Sequence, residues 1–536
     1  MENGERKELR LIDKGKKGIL RVIFSRTGII ILLFALGAAF FLSVLLKFAN
    51  WLPQFVGLVI LLHFSVILEL INNEMGSTAK ITWLLVISLI PIVGPLFYIY
   101  TQIDPSSIVL RKVFTSRREH NREYLPESTP VLHELEREAP DVAALCKYVS
   151  KTGNYPVFTG TKVEYYELGE YKWQALLNDL QNAEEFIFLE YFIVDEGKMW
   201  GQMLEILAEK AAQGVEVRVM YDGTCELSTL PHDYPKRMKE LGIQCRMFAP
   251  MTPFLSTVYN NRDHRKILVI DGKVAYNGGV NLADEYINAF EKYGHWKDTA
   301  VRIEGPAVDS FTLMFFELWM GEEQPDEAKK YIRNYQLPKE TEAPAAEHSR
   351  PDTSLGYVLP YGDSPMDEEK VGENVYMDFL YRANSYVHIM TPYLILDDEM
   401  TIALKNAAKK GIDVELIVPG IPDKPLVYIL TKSYFSRLIK AGVKIYTYTP
   451  GFVHAKVFVS DDRKASVGTI NLDYRSLYHH FECATFLYNV PCISQIEWDF
   501  LETREKCHRV TLEDVKNEKV LNKFIGAVMR MIAPLL

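Results

Sequence analysis

The 536-residue chain is poor in cysteine and has no excess of positive charge. Its six cysteines form no CxxC pair and show no Cys–His metal spacing, which argues against a disulfide framework and a structural metal site. The formal net charge is −10, whereas proteins that bind nucleic acid usually present a basic face. We therefore expect free cysteines, no structural metal site and no nucleic-acid partner.

Much of the apolar content lies between residues 28 and 101. It forms three runs, which are Ile29 to Leu46, Trp51 to Ile71, and Ile81 to Tyr100. Each run is close to the ~20 residues that a membrane-spanning helix needs. The third is interrupted by prolines and a glycine, which predicts a kink or a re-entrant segment. We predict a basic segment over 1–27, then a transmembrane region over 28–102 with two or three helices; a cleaved signal peptide is the alternative.

The orientation of these segments stays open. Basic residues precede the first run, and five more follow the third: Arg111, Lys112, Arg117, Arg118 and Arg122. Both flanks therefore favour the cytoplasmic side, which requires an even number of spans. Because three runs are present, the pattern does not decide which leaflet the rest of the chain faces.

The remainder of the chain contains one unit twice. The first copy reads FIFLEYFIVDEG, a helical stretch ending in AAQG, then VEVRVMYDG; the second reads YVHIMTPYLILDDE, a stretch ending in AAKKG, then IDVELIVPG. β-branched runs on either side of a 3.6-residue period predict strand, helix and strand, closed by the C-capping glycines Gly214 and Gly411. We predict an α/β fold of two lobes related by a pseudo-twofold axis, over 130–325 and 356–536, joined by a linker over 338–355.

Each copy continues with the same polar residues at the same spacing. The stretches are HRKILVIDGKVAYNGGVN and HAKVFVSDDRKASVGTIN. In both, His to Lys is two residues, Lys to Asp is five and His to Asn is seventeen. The residues concerned are His264, Lys266, Asp271 and Asn281, and His454, Lys456, Asp461 and Asn471.

Strand geometry gives these residues distinct roles. Side chains two apart on a strand face the same side, so each His and Lys should point into one space, and each Asp falls at the turn that ends the strand. We therefore expect the aspartates to orient neighbours, the lysines and asparagines to hold phosphate oxygens, and the histidines to perform nucleophilic attack and proton transfer. The alternatives are ordinary core or surface histidines, and a metal site, which lysines would disfavour.

With both HxKxxxxD motifs intact, the chain resembles the phospholipase D superfamily and, more narrowly, the bacterial cardiolipin synthases. The matching stretches include NRDHRKILVIDGKVAYNGGVNLADEY, HWKDTAVRIEGPAV and HAKVFVSDDRKASVGTINLDYRSLYHHFE. The resemblance covers the chain from about residue 28 to its end. Where family members tend to have Asn-Phe-Glu, this chain has His480, Phe481 and Glu482, so the asparagine is replaced.

The resemblance implies a reaction and its residues. One histidine would attack the phosphodiester of phosphatidylglycerol, and the other would protonate the departing glycerol and then activate a second phosphatidylglycerol, giving cardiolipin. By analogy His264 is the nucleophile and His454 the acid and base. Asp298 and Glu482 match the carboxylates that fix the histidine tautomers, unless they only form surface salt bridges. The resemblance also implies a multi-pass protein of the bacterial cell membrane, with membrane lipids as partners and with no metal or other cofactor. The sequence does not decide the oligomeric state.

Several alternatives share these residues. A lipid hydrolase, or a phosphatidyltransferase with another alcohol or donor, would use the same motifs. The motifs do not separate hydrolysis from transfer, because these reactions differ only in how well the site excludes water from the intermediate. A phospholipase D-type nuclease and a non-catalytic membrane scaffold are further alternatives. The last stretch, KVLNKFIGAVMRMIAPLL, predicts an amphipathic helix that either lies against the membrane or packs on the protein.

Overall fold

A computed structural model describes residues 52–73, 75–90, 92–102, 105–126, 129–250, 261–319, 326–333, 353–367 and 369–535. These residues form two compact units. The smaller unit contains described residues up to 108 together with 528–535, and the larger unit contains those from 109 to 527. The predicted basic segment, the first apolar run and most of the predicted linker lie outside the described residues.

The smaller unit is helical. It contains α1 (Leu52–Asn72), α2 (Ser77–Leu89) and α3 (Val93–Gln102). Their buried core consists of Val66, Leu70, Trp83, Ile87 and Tyr98. The third apolar run forms two helices, with the break at the predicted interruption. Among the described helices none combines the length and apolar character needed to cross a membrane, so the transmembrane prediction is not confirmed.

Between α3 and the first sheet, the described residues form three more helices. They are α4 (Pro105–Asn121), α5 (Thr129–Glu138) and α6 (Pro140–Tyr148), with a 3₁₀ turn at Arg122–Tyr124 and a π-helical turn at Val149–Gly153. The six cysteines all lie in the described part of the chain and are all free thiols, as predicted.

The first lobe is a mixed seven-stranded sheet with helices packed against it. Its elements are β1 (Lys162–Tyr166), α7 (Gly169–Gln181), β2 (Phe186–Tyr191), α8 (Lys198–Ala212), β3 (Glu216–Asp222), α9 (Cys225–Ser228), α10 (Tyr234–Glu240), β4 (Gln244–Phe248), β5 (Arg262–Asp263), β6 (Lys266–Ile270), β7 (Val274–Gly278), β8 (His295–Lys297), β9 (Ala300–Glu304) and α11 (Val308–Leu318). Short 3₁₀ turns lie at Asp284–Ile287 and Glu327–Tyr331. The strand order is β1-β9-β7-β6-β2-β3-β4, in which β2, β3 and β4 run parallel.

The second lobe repeats this arrangement. Its elements are β10 (Tyr357–Asp363), α12 (Val371–Arg382), β11 (Tyr386–Met390), α13 (Asp398–Lys409), β12 (Asp413–Pro419), α14 (Pro425–Ile439), β13 (Lys444–Tyr448), β14 (Gly451–Val453), β15 (Val457–Ser460), β16 (Lys464–Gly468), α15 (Tyr474–Tyr478), β17 (His480–Tyr488), α16 (Ile493–Glu505), β18 (Cys507–Arg509), α17 (Leu512–Asn517) and α18 (Val520–Ile532), followed by a 3₁₀ turn at Ala533–Leu535. The order β10-β17-β16-β15-β11-β12-β13-β18 matches the first sheet with one strand added. The predicted two-lobed α/β fold is therefore confirmed.

Local sequence explains why the repeated elements form where they do. Strands β2 and β11 are buried almost throughout, and each pairs in parallel with the strand that follows its helix, β3 or β12. Gly214 and Gly411 follow α8 and α13 with φ of 95° and 92°, a left-handed conformation that favours glycine at a helix end. These are the capping positions that the sequence predicted.

The two lobes exchange short strands at their interface. β5 of the first lobe pairs in parallel with the start of β17, and β14 of the second lobe pairs in parallel with β8. Each exchanged strand ends one residue before a motif histidine, which places His264 and His454 at the boundary between the lobes.

Both motif aspartates are turn residues that hold a neighbouring strand. Asp271, with φ of 52°, accepts hydrogen bonds at 2.7–2.9 Å from the backbone N–H groups of Glu184, Glu185 and Phe186 at the start of β2. Asp461, with φ of 55°, accepts from the equivalent N–H groups of Asn384, Ser385 and Tyr386 at 2.8–3.1 Å. Three charge-assisted hydrogen bonds to one carboxylate point to a structural role.

This arrangement predicts that Asp271→Ala destabilises the fold. Loss of three hydrogen bonds to a buried carboxylate should lower the free energy of unfolding by about 3 kcal/mol. Urea unfolding followed by tryptophan fluorescence measures this, with Asp462→Ala as the control, since that side chain accepts only from the Tyr386 hydroxyl among the described residues. Wild-type stability with lost activity in Asp271→Ala would show that the carboxylate acts in the chemistry instead.

Candidate active site

His264 is held by a carboxylate of the other lobe. Its Nδ1 lies 2.8 Å from Oε1 and 3.0 Å from Oε2 of Glu482, and both side chains are buried. Glu482 in turn accepts a hydrogen bond from the Thr469 hydroxyl. With a proton on Nδ1, the Nε2 lone pair of His264 is free to attack an electrophile.

His454 is held in the same way from the opposite direction. Its Nδ1 lies 2.6 Å from Oδ2 of Asp298, which belongs to the first lobe. Asp298 also accepts the backbone N–H of Thr299 at 2.8 Å. The two carboxylates that the sequence singled out therefore each fix the histidine of the other lobe, and both are fully buried rather than surface groups.

The strand exchange produces this crossed pairing. The backbone N–H of His264 donates to the carbonyl of Phe481 at 2.9 Å, and that of His454 donates to the carbonyl of Lys297 at 2.7 Å. Phe481 and Lys297 each directly precede one of the carboxylates, so the backbone hydrogen bond sets the carboxylate beside the ring.

The structure corrects one sequence-based expectation about the histidines. They do not lie on the strands that follow them, because β6 begins at Lys266 and β15 at Val457. The backbone at each histidine instead hydrogen-bonds to the opposite lobe, so His264 and His454 lie at the interface between the lobes. Each lysine is still brought back toward its own histidine.

The two halves of the site differ where the second motif has threonine in place of glycine. A Cβ at Gly279 would lie 2.0 Å from Oδ1 of Asp298, so only glycine permits that carboxylate to approach. At the equivalent position Thr469 supplies a hydroxyl to the longer Glu482. Glycine therefore makes room for one carboxylate, and threonine adds a hydrogen bond to the other.

Both motif lysines are buried beside their histidines. Lys266 Nζ donates to the backbone carbonyl of His264 at 2.6 Å. Lys456 Nζ donates to the carbonyl of His454 and also lies 2.8 Å from its Nδ1. A third buried lysine, Lys172 on α7, donates to the Tyr191 hydroxyl at 3.1 Å. The site thus concentrates cationic groups, as binding of an anionic phosphate requires.

Burial dominates the electrostatics. It lowers the pKa of Lys266 to about 8 and those of Lys456 and Lys172 to about 7. It also lowers the pKa of His454 to about 4 and that of His264 well below its usual value, and the nearby lysines act in the same direction. Both imidazoles are therefore neutral near pH 7 in the unliganded site.

The carboxylates respond differently to burial. Burial raises the pKa of Glu482 well above its usual value. It opposes ionisation of Asp298 too, but the charges of His454 and Lys456 and the hydrogen bond from His454 outweigh it and lower that pKa. Asp298 is therefore a fixed negative charge, whereas burial disfavours the ionised form of Glu482.

The two motif asparagines are both buried, and they differ in their hydrogen bonds. Asn281 accepts the backbone N–H of Ile193 at 3.1 Å and donates from its amide to the Tyr286 hydroxyl at 2.9 Å, which leaves one amide hydrogen. Asn471 is buried, and its Oδ1 has no hydrogen-bond partner among the described residues. Phosphate binding by either residue stays a prediction.

Several residues near the histidines could not be identified from the spacing of the motifs. The rings of Tyr286, Trp296 and Phe452 lie 5.4–5.9 Å from that of His454, and Phe192 lies 4.9 Å from His264. Lys172 stands in an ordinary amphipathic helix, and no spacing distinguishes it. The replacement of the family asparagine was the one visible sign that His480 differs.

One cluster beside the motif histidines has the composition of a metal site. His264, His480 and Glu482 each offer a ligand atom, and these atoms lie within 4.8 Å of one another. Two of the three already hydrogen-bond to each other, and Lys266 is a neighbouring cation whose charge acts on both histidines. The set suits hydrogen bonding to an anion better than binding a cation.

Comparison with known proteins places this chain among lipid enzymes. The family model "Cardiolipin synthase, PLD-like domain" matches residues 176–319 and 376–504, and the model "Phospholipase_D-nuclease N-terminal" matches residues 57–100. The cardiolipin synthase of Geobacillus kaustophilus is 32% identical over 488 residues, covering 89% of this chain and 92% of that protein. An uncharacterised protein of Streptococcus mutans is 51% identical over 470 residues, covering 88% and 99%.

A solved structure shares the fold. The crystal structure of a phosphatidylserine synthase from Haemophilus influenzae aligns with a TM-score of 0.54 at 16% identity, covering 73% of this chain and 97% of that one. The two-lobed architecture and the duplicated HxKxxxxD site of this chain define an enzyme of the phospholipase D superfamily. The matches to family models and relatives are more specific: the chain belongs to the bacterial cardiolipin synthase family and is a phosphatidyltransferase.

The lowered lysine pKa values predict that substrate binding weakens as pH rises. Lys456 and Lys266 are charged below about pH 7 and 8 and lose that charge above those values, so affinity for an anionic phosphodiester falls. The KM for a soluble short-chain phospholipid donor should rise roughly tenfold or more between pH 6 and 9. Lys456→Arg, which keeps its charge, should flatten the profile, and the exposed Lys409→Arg should not. A pH-independent KM in the wild type would contradict this account.

Proposed function

We propose that this enzyme transfers a phosphatidyl group from one phosphatidylglycerol to another, forming cardiolipin and glycerol through a phosphohistidine. The observation that carries the proposal is the crossed pairing of two buried histidines with two buried carboxylates, one of each from each lobe. Two imidazoles with fixed tautomers and two lysines in one site are suited to nucleophilic displacement at the phosphorus of an anionic phosphodiester.

In the first step Nε2 of His264 attacks the phosphorus of the donor lipid. A P–N bond forms, the P–O bond to the headgroup glycerol breaks, and the leaving oxygen takes a proton from Nε2 of His454. Lys266 and Lys456 neutralise the charge on the non-bridging oxygens. Binding of the anionic substrate favours the protonated form of His454, which is neutral in the empty site.

In the second step the roles reverse. His454 takes the proton of a headgroup hydroxyl on a second phosphatidylglycerol, whose oxygen attacks the phosphorus as the P–N bond breaks. One phosphodiester replaces another, so no nucleotide or other energy source is needed. Glu482 and Asp298 hold the two rings through both steps without leaving their positions.

An enzyme that acts on lipid substrates must contact the membrane that contains them. Apolar side chains on α18 face outward, with Val520, Leu521 and Phe524 exposed by 66–81%. The buried Gly526 on the same helix lies against Ser433 of α14. In the smaller unit, α1 also exposes large apolar residues, among them Leu58, Leu61, Phe64 and Ile71. We propose that these surfaces contact the bilayer of the cell membrane.

Product analysis tests the proposed reaction. Purified enzyme in vesicles of phosphatidylglycerol should release one glycerol for each cardiolipin formed, and His264→Ala and His454→Ala should each lower the rate by at least about 10³-fold. His232→Ala is the matched control, because that histidine is exposed on the surface. Phosphatidic acid as the main product would show that water is the acceptor, and a near wild-type rate in either motif variant would refute the two-histidine mechanism.

A further inference from the structure

His480 occupies the active site although no motif includes it. It is the first residue of β17, two positions before Glu482, so the two side chains leave the strand on the same face. Its ring centroid lies 5.5 Å from that of His264, and its Nδ1 lies 3.8 Å from Oε1 of Glu482. Its side chain is about as buried as those of the two motif histidines.

Neither ring nitrogen of His480 has a hydrogen-bond partner among the described residues. The residue is only 7% exposed, and buried polar groups in proteins are nearly always paired. The 3.8 Å separation from Glu482 is too long for a hydrogen bond. A buried imidazole with two unused nitrogens beside the reacting histidine is therefore suited to a polar group of the substrate.

The pseudo-twofold equivalent of His480 strengthens this inference. Trp296 stands two residues before Asp298, and its ring lies 5.5 Å from that of His454. Its indole N–H likewise has no hydrogen-bond partner in the described part of the chain. Each lobe therefore places one unused N–H group beside the histidine of the other lobe.

The surroundings of His480 favour a neutral ring. Burial and the positive charges of Arg475, Lys266 and Arg262 hold its pKa well below the usual range. A neutral imidazole offers one N–H donor and one acceptor. The asparagine that family members tend to have at this position also offers a donor and an acceptor, so the replacement conserves hydrogen-bonding capacity without adding charge.

We propose that His480 is a catalytic residue that donates a hydrogen bond from its ring N–H to a non-bridging oxygen of the reacting phosphorus. An oxygen on a phosphorus bonded to His264, together with a hydrogen bond of about 2.9 Å, spans roughly 5 Å, which fits the separation of the two rings. The role rests on the proposed phosphohistidine step, because it needs a phosphodiester between the two motif histidines.

Variants at this position test the donor. His480→Phe keeps a ring but loses the N–H, and should lower kcat for glycerol release about 100-fold, as loss of one oxyanion donor does elsewhere. His480→Asn should stay within about tenfold of wild type, since an amide can also donate. His479→Phe, the same change one residue earlier on the chain, is the control and should leave kcat unchanged. Unaltered kcat in His480→Phe would overturn the proposal.

Phosphorothioate donors separate a bond to oxygen from a merely structural role. Sulfur at the non-bridging position that faces His480 should slow the wild type for one diastereomer of phosphatidylglycerol, because sulfur accepts hydrogen bonds weakly. This ratio of oxygen to sulfur rates should fall in His480→Phe, and His480→Leu is measured if the phenylalanine variant does not fold. Ratios that stay at the wild-type values for both diastereomers would overturn the proposal.

Two further readouts keep the outcomes distinct. Glycerol release reports the first step whichever acceptor follows, so formation of phosphatidic acid would reject the proposed function while still testing His480. Chelation with EDTA should leave the wild-type rate unchanged. A fall to the rate of His480→Phe, restored by added Zn²⁺, would show that His264, His480 and Glu482 hold a metal and would overturn the proposal.

Discussion

The hydrogen bond between each motif histidine and a carboxylate of the opposite lobe is the contact on which the rest of the site depends. His264 and Glu482 are 218 positions apart in the chain, and His454 and Asp298 are 156 positions apart. Among the described residues, neither motif histidine forms this hydrogen bond with a carboxylate of its own lobe. The duplicated fold therefore gives one active site at the interface, not one in each lobe.

Burial of the site shifts the pKa values of the groups that form these hydrogen bonds. In a region of low dielectric, lysines and imidazoles lose protons more easily and carboxylates hold them more tightly, unless a partner compensates. Asp298 has such partners and its pKa is lowered, whereas burial raises the pKa of Glu482. The half-site around His454 is lined by aromatic rings, while that around His264 contains the polar ring of His480. The pseudo-twofold axis relates the backbones of the halves but not their chemistry.

Sequence patterns predicted the secondary-structure elements and their duplication. They did not predict that each lobe supplies the carboxylate for the histidine of the other lobe. Strands β2 and β11, the capping glycines and the turn positions of Asp271 and Asp461 follow from local periodicity and conformation, which act over a few residues. Local spacing carries no information about which histidine a distant carboxylate meets, so the pairing of Asp298 with His454 was not predictable. Lys172 was missed for the same reason, because only its burial beside the site distinguishes it from the lysine of any amphipathic helix.

The crossed pairing is tested most directly by ¹⁵N NMR of histidine-labelled protein, with the signals of His264 and His454 assigned by their loss in alanine variants. Glu482→Gln should shift the ring-nitrogen signals of His264 and leave those of His454 in place, and Asp298→Asn should do the reverse, because the chemical shift of Nδ1 reports its hydrogen-bonded carboxylate. If each carboxylate variant instead shifts the histidine of its own lobe, the site is not built by exchange between the lobes and the account is contradicted.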